Sequence, residues 1–251
     1  RVLAGAIAKQ VLALQKISIL GYVVEVGGLK ADLTETWDKI TVSQIEKSSV
    51  RCPDPKVSAR MEAAIREARD NSNSLGGIVE VQARGVPAGL GEPVFDKLTA
   101  RIAAAFMSIP ATRGVEFGAG FEASRMRGSD YPDAMDVRGG RVVFQSNRHG
   151  GILGGISSGA VIVVRAAFKP TSTLPGQEAE LVTEEMNKAK VKMKGRHDPC
   201  VVPRAVPILE AMMACVLLDA LLEHRARADF PGTDRRPWPL ESKPGGSGSA
   251  E

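Results

Sequence analysis

Three segments of the chain carry residue types that could act on an anion. The first is Lys169-Pro-Thr-Ser-Thr173, a cation followed by three hydroxyls, with Pro170 restricting the backbone between them. A point charge with several neutral donors suits a phosphate. Alone, the pentapeptide is also a common polar loop. The second is Gly150-Gly-Ile-Leu-Gly154-Gly-Ile-Ser-Ser-Gly159, whose glycines permit close backbone approach and whose successive N–H groups could line an anion nest. It lacks the Gly-Lys-Ser/Thr ending of a nucleoside-triphosphate loop, so ordinary tight turns compete with the anion reading on equal terms. The third is Lys194-Gly-Arg-His-Asp198-Pro-Cys200. Arg196 offers a planar fork for a carboxylate or phosphate, Asp198 a carboxylate two residues on, and His197 a base or ligand between them. With no second histidine or acid at metal spacing nearby, no metal site is expected. A surface turn closed by an Arg–Asp pair is the alternative.

A fourth motif is set aside. Gly118-Ala-Gly120-Phe-Glu-Ala123 matches the GxGxxA dinucleotide fingerprint, but Gly128 and Pro132 stand where its helix should run. A strand with a glycine bulge is the expected structure there.

These segments need elements to position them. Helical spacing predicts helices over 2–14 and 57–69, and β-branched runs predict strands over 17–26 and 75–83. A helix is expected over 92–107, with Pro93 in its first turn. Strands are expected over 115–121, 141–146 and 160–168, separated by glycine-rich turns; 193–203 reads as irregular and 207–227 as a long helix. Helices and strands alternate early while strands cluster later, so the class is α+β rather than a regular parallel α/β sheet. Residues 1–229 form one unit, and 230–251, rich in Pro, Gly and Ser, read as a disordered tail.

Composition narrows the function classes. The 251 residues carry a formal charge of +4, with 25% charged and 43% hydrophobic residues, which excludes disorder for most of the length. Three cysteines with no CxxC pair argue against a disulfide framework and for a reducing, cytoplasmic setting. The apolar run Ala205 to Leu222 carries Glu210, Asp219 and Pro207, so it reads as a buried helix and no membrane partner is expected. Without an aromatic platform or a basic helix, no nucleic-acid partner is expected either. The chain opens on Arg1 in a helical pattern and without a methionine, which suggests a piece of a longer protein.

Taken in order, the motifs closely resemble the chorismate synthase family. The resemblance rests on Ser49-Val-Arg-Cys-Pro53, Ser74-Leu-Gly-Gly77, the stretch from Gly85 to Leu98 (Gly-Val-Pro-Ala-Gly-Leu-Gly-Glu-Pro-Val-Phe-Asp-Lys-Leu) and Arg113-Gly-Val-Glu116. Arg127-Gly-Ser129, Gln145-Ser-Asn147, Gly150 to Gly159, Lys169 to Thr173, Lys194 to Cys200 and Arg204-Ala-Val-Pro207 continue it. It covers roughly residues 1–227. The two longest motifs are highly specific.

The resemblance implies a layered α+β sandwich of mostly antiparallel sheets and helices, incomplete at its N-terminus. It implies elimination of phosphate from 5-enolpyruvylshikimate 3-phosphate to give chorismate, in aromatic amino-acid biosynthesis, with reduced FMN and no net redox change. NADPH enters where the enzyme reduces its own flavin. FMN would lie against Pro110, Ala111, Gly154, Lys169, Pro170, Thr171, Ser172, Thr173 and Arg196. Asp198 would be the catalytic group, shuttling a proton or orienting the flavin, with His197 a neighbour of no assigned role. The full-length family member would be a homotetramer in the cytoplasm.

Two departures from the family pattern matter. His149 stands where the family usually has alanine; it either crowds the flavin side of the glycine loop or is a tolerated surface change, and the second is preferred. The family's early segment, with both catalytic histidines, has no counterpart in this sequence. These 251 residues alone are therefore expected to be inactive, a flavin-binding fragment at most.

Overall fold

The computed structural model describes residues 1–33, 39–174, 176, 178–192 and 197–228. The chain runs α1 (Val2–Leu14), β1 (Ser18–Val26), β2 (Leu29–Lys30), α2 (Val42–Glu46), α3 (Pro55–Asp70), β3 (Gly77–Arg84), α4 (Leu98–Met107) and β4 (Thr112–Phe117). A 3-10 turn (Gly120–Arg125) follows, then β5 (Met135–Arg138), β6 (Arg141–Phe144), β7 (Ile152–Leu153), β8 (Ile156–Ser157) and β9 (Ile162–Phe168). Two further strands, β10 (Glu178–Val182) and β11 (Lys188–Lys192), precede the long helix α5 (Val202–Ala228).

Five strands form one antiparallel sheet in the order β2-β1-β3-β9-β4, and the remaining six pair off as three hairpins. Strand alternation sends Val79, Val81 and Ala83 of β3, and Ile162, Val164 and Ala166 of β9, to one face, where all are buried. Helices α1, α4 and α5 cover that face. Gly5 of α1 lies so close to Ala211 of α5 that a Cβ would stand 2.3 Å from the Ala211 Cα, which is why a glycine occupies that turn. By length and composition α5 could cross a membrane, yet its Leu209, Met213 and Leu217 are fully buried in this core.

The expected α+β class and antiparallel pairing are found. Several boundaries differ, each for a physical reason. α4 starts at Leu98 and not near Glu92: Val94 takes a left-handed φ of 73°, and the Leu98 N–H, free in most first turns, donates to Gly155 O at 2.7 Å. Pro93 therefore lies in a loop. β4 ends at Phe117, and left-handed Gly118 and Gly120 turn the chain into the 3-10 segment; the strand irregularity falls between Thr112 and Gly114 instead. α5 starts at Val202, five residues before the expected Pro207, which sits inside it. A proline there removes the donor to the Pro203 carbonyl, and Arg51 supplies one from Nη1 at 3.4 Å. The expected tail, 230–251, lies outside the described residues.

Candidate active site

The predicted segments meet at one end of the sheet, where β9 and β4 run out side by side. Thr112 pairs with Phe168, and the ladder extends one step further as Lys169 N donates to Ala111 O at 3.0 Å. Ala111 holds a left-handed φ of 70°, a costly conformation for a residue with a Cβ. Beyond Lys169, Thr171 is fixed from two sides: its carbonyl accepts from Ser74 Oγ and its hydroxyl donates to the Asp198 carbonyl, both at 2.7 Å. His197 Nδ1 lies 3.1 Å from Thr173 Oγ1. Leu75 N donates to Pro199 O at 2.7 Å, so the 197–200 segment is stitched into the same end of the sheet.

The charges here suit an anion. Lys169 Nζ has only distant partners, Pro170 O and Ser172 Oγ at 3.4 Å, and no carboxylate within ion-pair reach among the described residues. Asp198 accepts from Arg204 Nη1 at 2.6 Å, so its partner is a residue of α5. Arg196 lies outside the described residues. His197 Nε2 is buried with no partner among the described residues, an orphaned polar atom beside these donors.

Adjoining Lys169 is a recess of about 310 Å³ floored by Gly27, Gly28, Gly76 and Gly77, with Ala167 and Phe168 as its wall. A Cβ on Gly76 would stand 2.4 Å from Phe168 O, and one on Gly77 would stand 2.1 Å from Glu25 O. The backbone there is too close for side chains.

Gly154 is not part of this cluster within one chain. It is exposed, at a φ of 61°, in the tight turn between β7 and β8, and that turn packs at the N-terminus of α4 through Leu98 N and Gly155 O. Pro110 and Ala111 follow the other end of α4, and a ten-residue helix is about 15 Å long. Nothing lies within 4 Å of where a Gly154 Cβ would stand.

Sequence reasoning overlooked the opposite, open face of the sheet. Across it the register aligns Tyr22, Glu80, Arg165 and Glu116 in one row. The Tyr22 hydroxyl donates to Glu80 Oε1, and Gln82 Nε2 donates to Tyr22 Oη at 2.6 Å and to Glu80 Oε1 at 3.1 Å. Burial, and then the neighbouring Glu80 charge, push the Tyr22 phenol far above its ordinary value, so it stays a neutral donor. Arg165 Nε stands 2.8 Å from Glu116 Oε1, poorly aligned for a hydrogen bond, while its Nη2 donates to Gly118 O at 2.7 Å. Glu80, Arg165 and Glu116 floor a cavity of about 1070 Å³ whose wall includes Gln145, Asn147 and Arg148. None of the predicted flavin residues that are described lines this cavity. The signal for it was the polar alternation Glu80, Gln82, Arg84 in an otherwise apolar strand.

His149 corrects an expectation. It is not a surface residue: its side chain is 19% exposed, its Nδ1 lies 2.6 Å from Asp133 Oδ2, and its ring stacks at a tilt on Tyr131 with centroids 4.6 Å apart. Cys52 and Cys200 are buried free thiols, and burial raises both above the ordinary thiol value, which makes them inert as nucleophiles. Among the described residues, no group of three or more His, Cys, Asp or Glu is placed to hold a metal ion.

The fold and site together define an α+β protein with a five-stranded antiparallel sheet, its longest helices on one face, and an anion-suited cluster of loops at the sheet's end. The chorismate synthase family model matches residues 1–222, and the chain belongs to that family. It is 50% identical over 226 residues to the chorismate synthase of Roseiflexus castenholzii, covering 90% of this chain and 61% of that protein. It is 47% identical over 222 residues to that of Archaeoglobus fulgidus, covering 88% and 61%. A solved crystal structure of chorismate synthase superposes with a TM-score of 0.74 at 35% identity, covering 88% of this chain and 62% of the other. The chain thus spans about three fifths of the length of the relatives it matches.

Proposed function

We propose that the protein acts as a chorismate synthase, eliminating phosphate from 5-enolpyruvylshikimate 3-phosphate in the cytoplasm as a full-length homotetramer. What carries the reading is the meeting of Ala111, Lys169–Thr173 and His197–Asp198, from three distant parts of the sequence, beside a recess floored by four glycines and edged by Glu25, Ile78 and Phe168. The donor set fits reduced FMN: the Lys169 ammonium and the buried His197 Nε2, which have no carboxylate and no hydrogen-bond partner respectively among the described residues, and the Ser172 and Thr173 hydroxyls. Reduced FMN, when bound, supplies an electron-rich partner for transient charge on the substrate without net redox change. NADPH enters only if the protein reduces its own flavin. Lys169 neutralises anionic charge at the site, and Thr171 holds the Asp198 backbone so that the carboxylate is presented from a fixed segment. Asp198 holds a proton or orients the flavin, with Arg204 fixing its carboxylate.

Because the chain spans about three fifths of its relatives, we infer that residues 1–251 by themselves bind flavin without turning over substrate. The test is anaerobic titration of the purified chain with reduced FMN, followed by a chorismate assay. Flavin binding that weakens about 10-fold in Lys169→Ala, the loss expected for one charge-assisted contact, is the supporting result. An absence of flavin binding overturns the flavin assignment. Full-rate chorismate formation by the chain overturns only the inactivity.

A further inference from the structure

We propose that Asp133 is a positioning residue for the glycine loop that carries Gly154, and that His149 completes its clamp. Asp133 stands between the 3-10 turn and β5, with a side chain only 4% exposed. Its two oxygens accept four hydrogen bonds from one short strap. Oδ1 takes Ser146 Oγ at 2.6 Å and Arg148 N at 2.7 Å; Oδ2 takes His149 N at 3.0 Å and the His149 ring at 2.6 Å. A carboxylate accepts about four bonds at most, so this one is saturated. It has no capacity left for a ligand. Its role must run through what it holds.

What it holds is continuous with the glycine loop. Arg148 O accepts from Ala119 N at 2.8 Å, and Asn147 donates from Nδ2 to Val161 O at 2.8 Å, so the strap is tied to both β4's exit and β9's entry. Gly150 and Gly118 are pressed together: a Cβ on Gly118 would stand 2.4 Å from Gly150 N. From there Gly151 O accepts from Ser158 N, and the ladder Ile152 to Ser157 and Leu153 to Ile156 closes on the turn at Gly154. Replacing one carboxylate oxygen by an amide NH2 sets two donors against the donors on that side, and leaves Arg148 N or His149 N without an acceptor where the strap enters this hairpin. In this chain the histidine adds a fourth bond, and its stacking on Tyr131 holds the ring in place, where an alanine would offer neither. The link to flavin rests on the proposed function together with the Gly154 contact that the family resemblance implies, since Gly154 lies apart from the Lys169 cluster within one chain; the clamp itself does not.

The test compares the wild-type chain with Asp133→Asn and His149→Ala by amide hydrogen exchange and by titration with reduced FMN. In Asp133→Asn, exchange at residues 148–150 is expected to rise at least ~10-fold while α5 amides keep their protection, and flavin affinity to fall about 5-fold, the size of one lost positioning hydrogen bond. His149→Ala keeps three of the four bonds and is expected to show the same changes at about 2-fold, as for a partial loss of one contact. It also carries the test should Asp133→Asn not fold. Unchanged exchange at 148–150 overturns the clamp. Faster exchange with wild-type flavin affinity overturns the positioning role. A wild-type chain that binds no flavin overturns the proposed function and this link to it, while the exchange data still decide the clamp.

Discussion

The two faces of the central sheet are built on the same strands and obey opposite rules. The helix-covered face carries Val79, Val81, Ala83, Ile162, Val164 and Ala166, all aliphatic and fully buried. The open face carries Tyr22, Glu80, Gln82, Arg165 and Glu116, and satisfies them with one another across the strands. One face is held by non-directional burial, which tolerates a change of aliphatic shape. The other combines a small apolar cluster of Leu20, Val24, Ile40 and Ile45 with directional bonds, where each polar group depends on a named partner. Breaking each face should therefore give different kinds of loss.

The largest effect belongs to the covered face. Phe106 of α4 is fully buried there, and Phe106→Ala should cost about 3–5 kcal/mol, the transfer and cavity terms together. A thermal melt should drop by roughly 10 °C for a chain of this size. A drop of only a degree or two would show that the core collapses around the missing ring. On the open face, Glu80→Leu strands the Tyr22 hydroxyl proton, while Gln82 keeps its bond to Tyr22 Oη. The expected cost is about 1–3 kcal/mol in urea unfolding, and Tyr22→Phe in the same background should recover part of it. An absence of recovery would mean that the Tyr22 hydroxyl finds another acceptor.

A comparable cost should appear through pH at the strap. Burial by itself would raise the Asp133 carboxyl, but the bonds from His149, Ser146 and Arg148 outweigh it and bring it down from 3.8 to about 2. The folded state then binds fewer protons than the unfolded one between those values. The stability contributed, on the order of 2 kcal/mol, is complete above about pH 4 and is lost as pH falls toward 2. Asp133→Asn should flatten that part of the stability curve. Parallel wild-type and variant curves between pH 4 and 2 would refute the assignment.

How much of this was legible from the residues follows the same division. The periodic elements, α1, β1, α3, β3 and β9, were readable because burial of one face imposes its period on the sequence. The starts of α4 and α5 were not, because distant groups set them: Gly155 O captures Leu98 N, and Arg51 repairs the carbonyl that Pro207 leaves without a donor. The Lys169–Thr173 and His197–Asp198 segments were readable as chemistry, since their residue types cluster in sequence. The separation of Gly154 from them was not, because it depends on which end of α4 each loop reaches. Asp133 and His149 lie 16 residues apart, the Gln145-Ser-Asn147 motif between them does not point to the pair, and only the fold makes them partners.

The smallest expected effect separates stability from function most cleanly. Arg204 pairs with Asp198 at 2.6 Å, but its side chain is 66% exposed against 28% for the aspartate. A pair that open to solvent is worth about 0–1 kcal/mol, so Arg204→Ala should leave the melting temperature within a degree or two of wild type. If Asp198 works at the flavin, the same change should still alter flavin affinity, because a carboxylate released from Arg204 loses its fixed orientation while its backbone stays tied to Thr171. Flavin titration of Arg204→Ala against Lys169→Ala ranks orientation against charge. An Arg204→Ala chain with wild-type melting and wild-type flavin affinity would remove the ion pair from both accounts and leave Lys169, among the described residues, as the cation that matters.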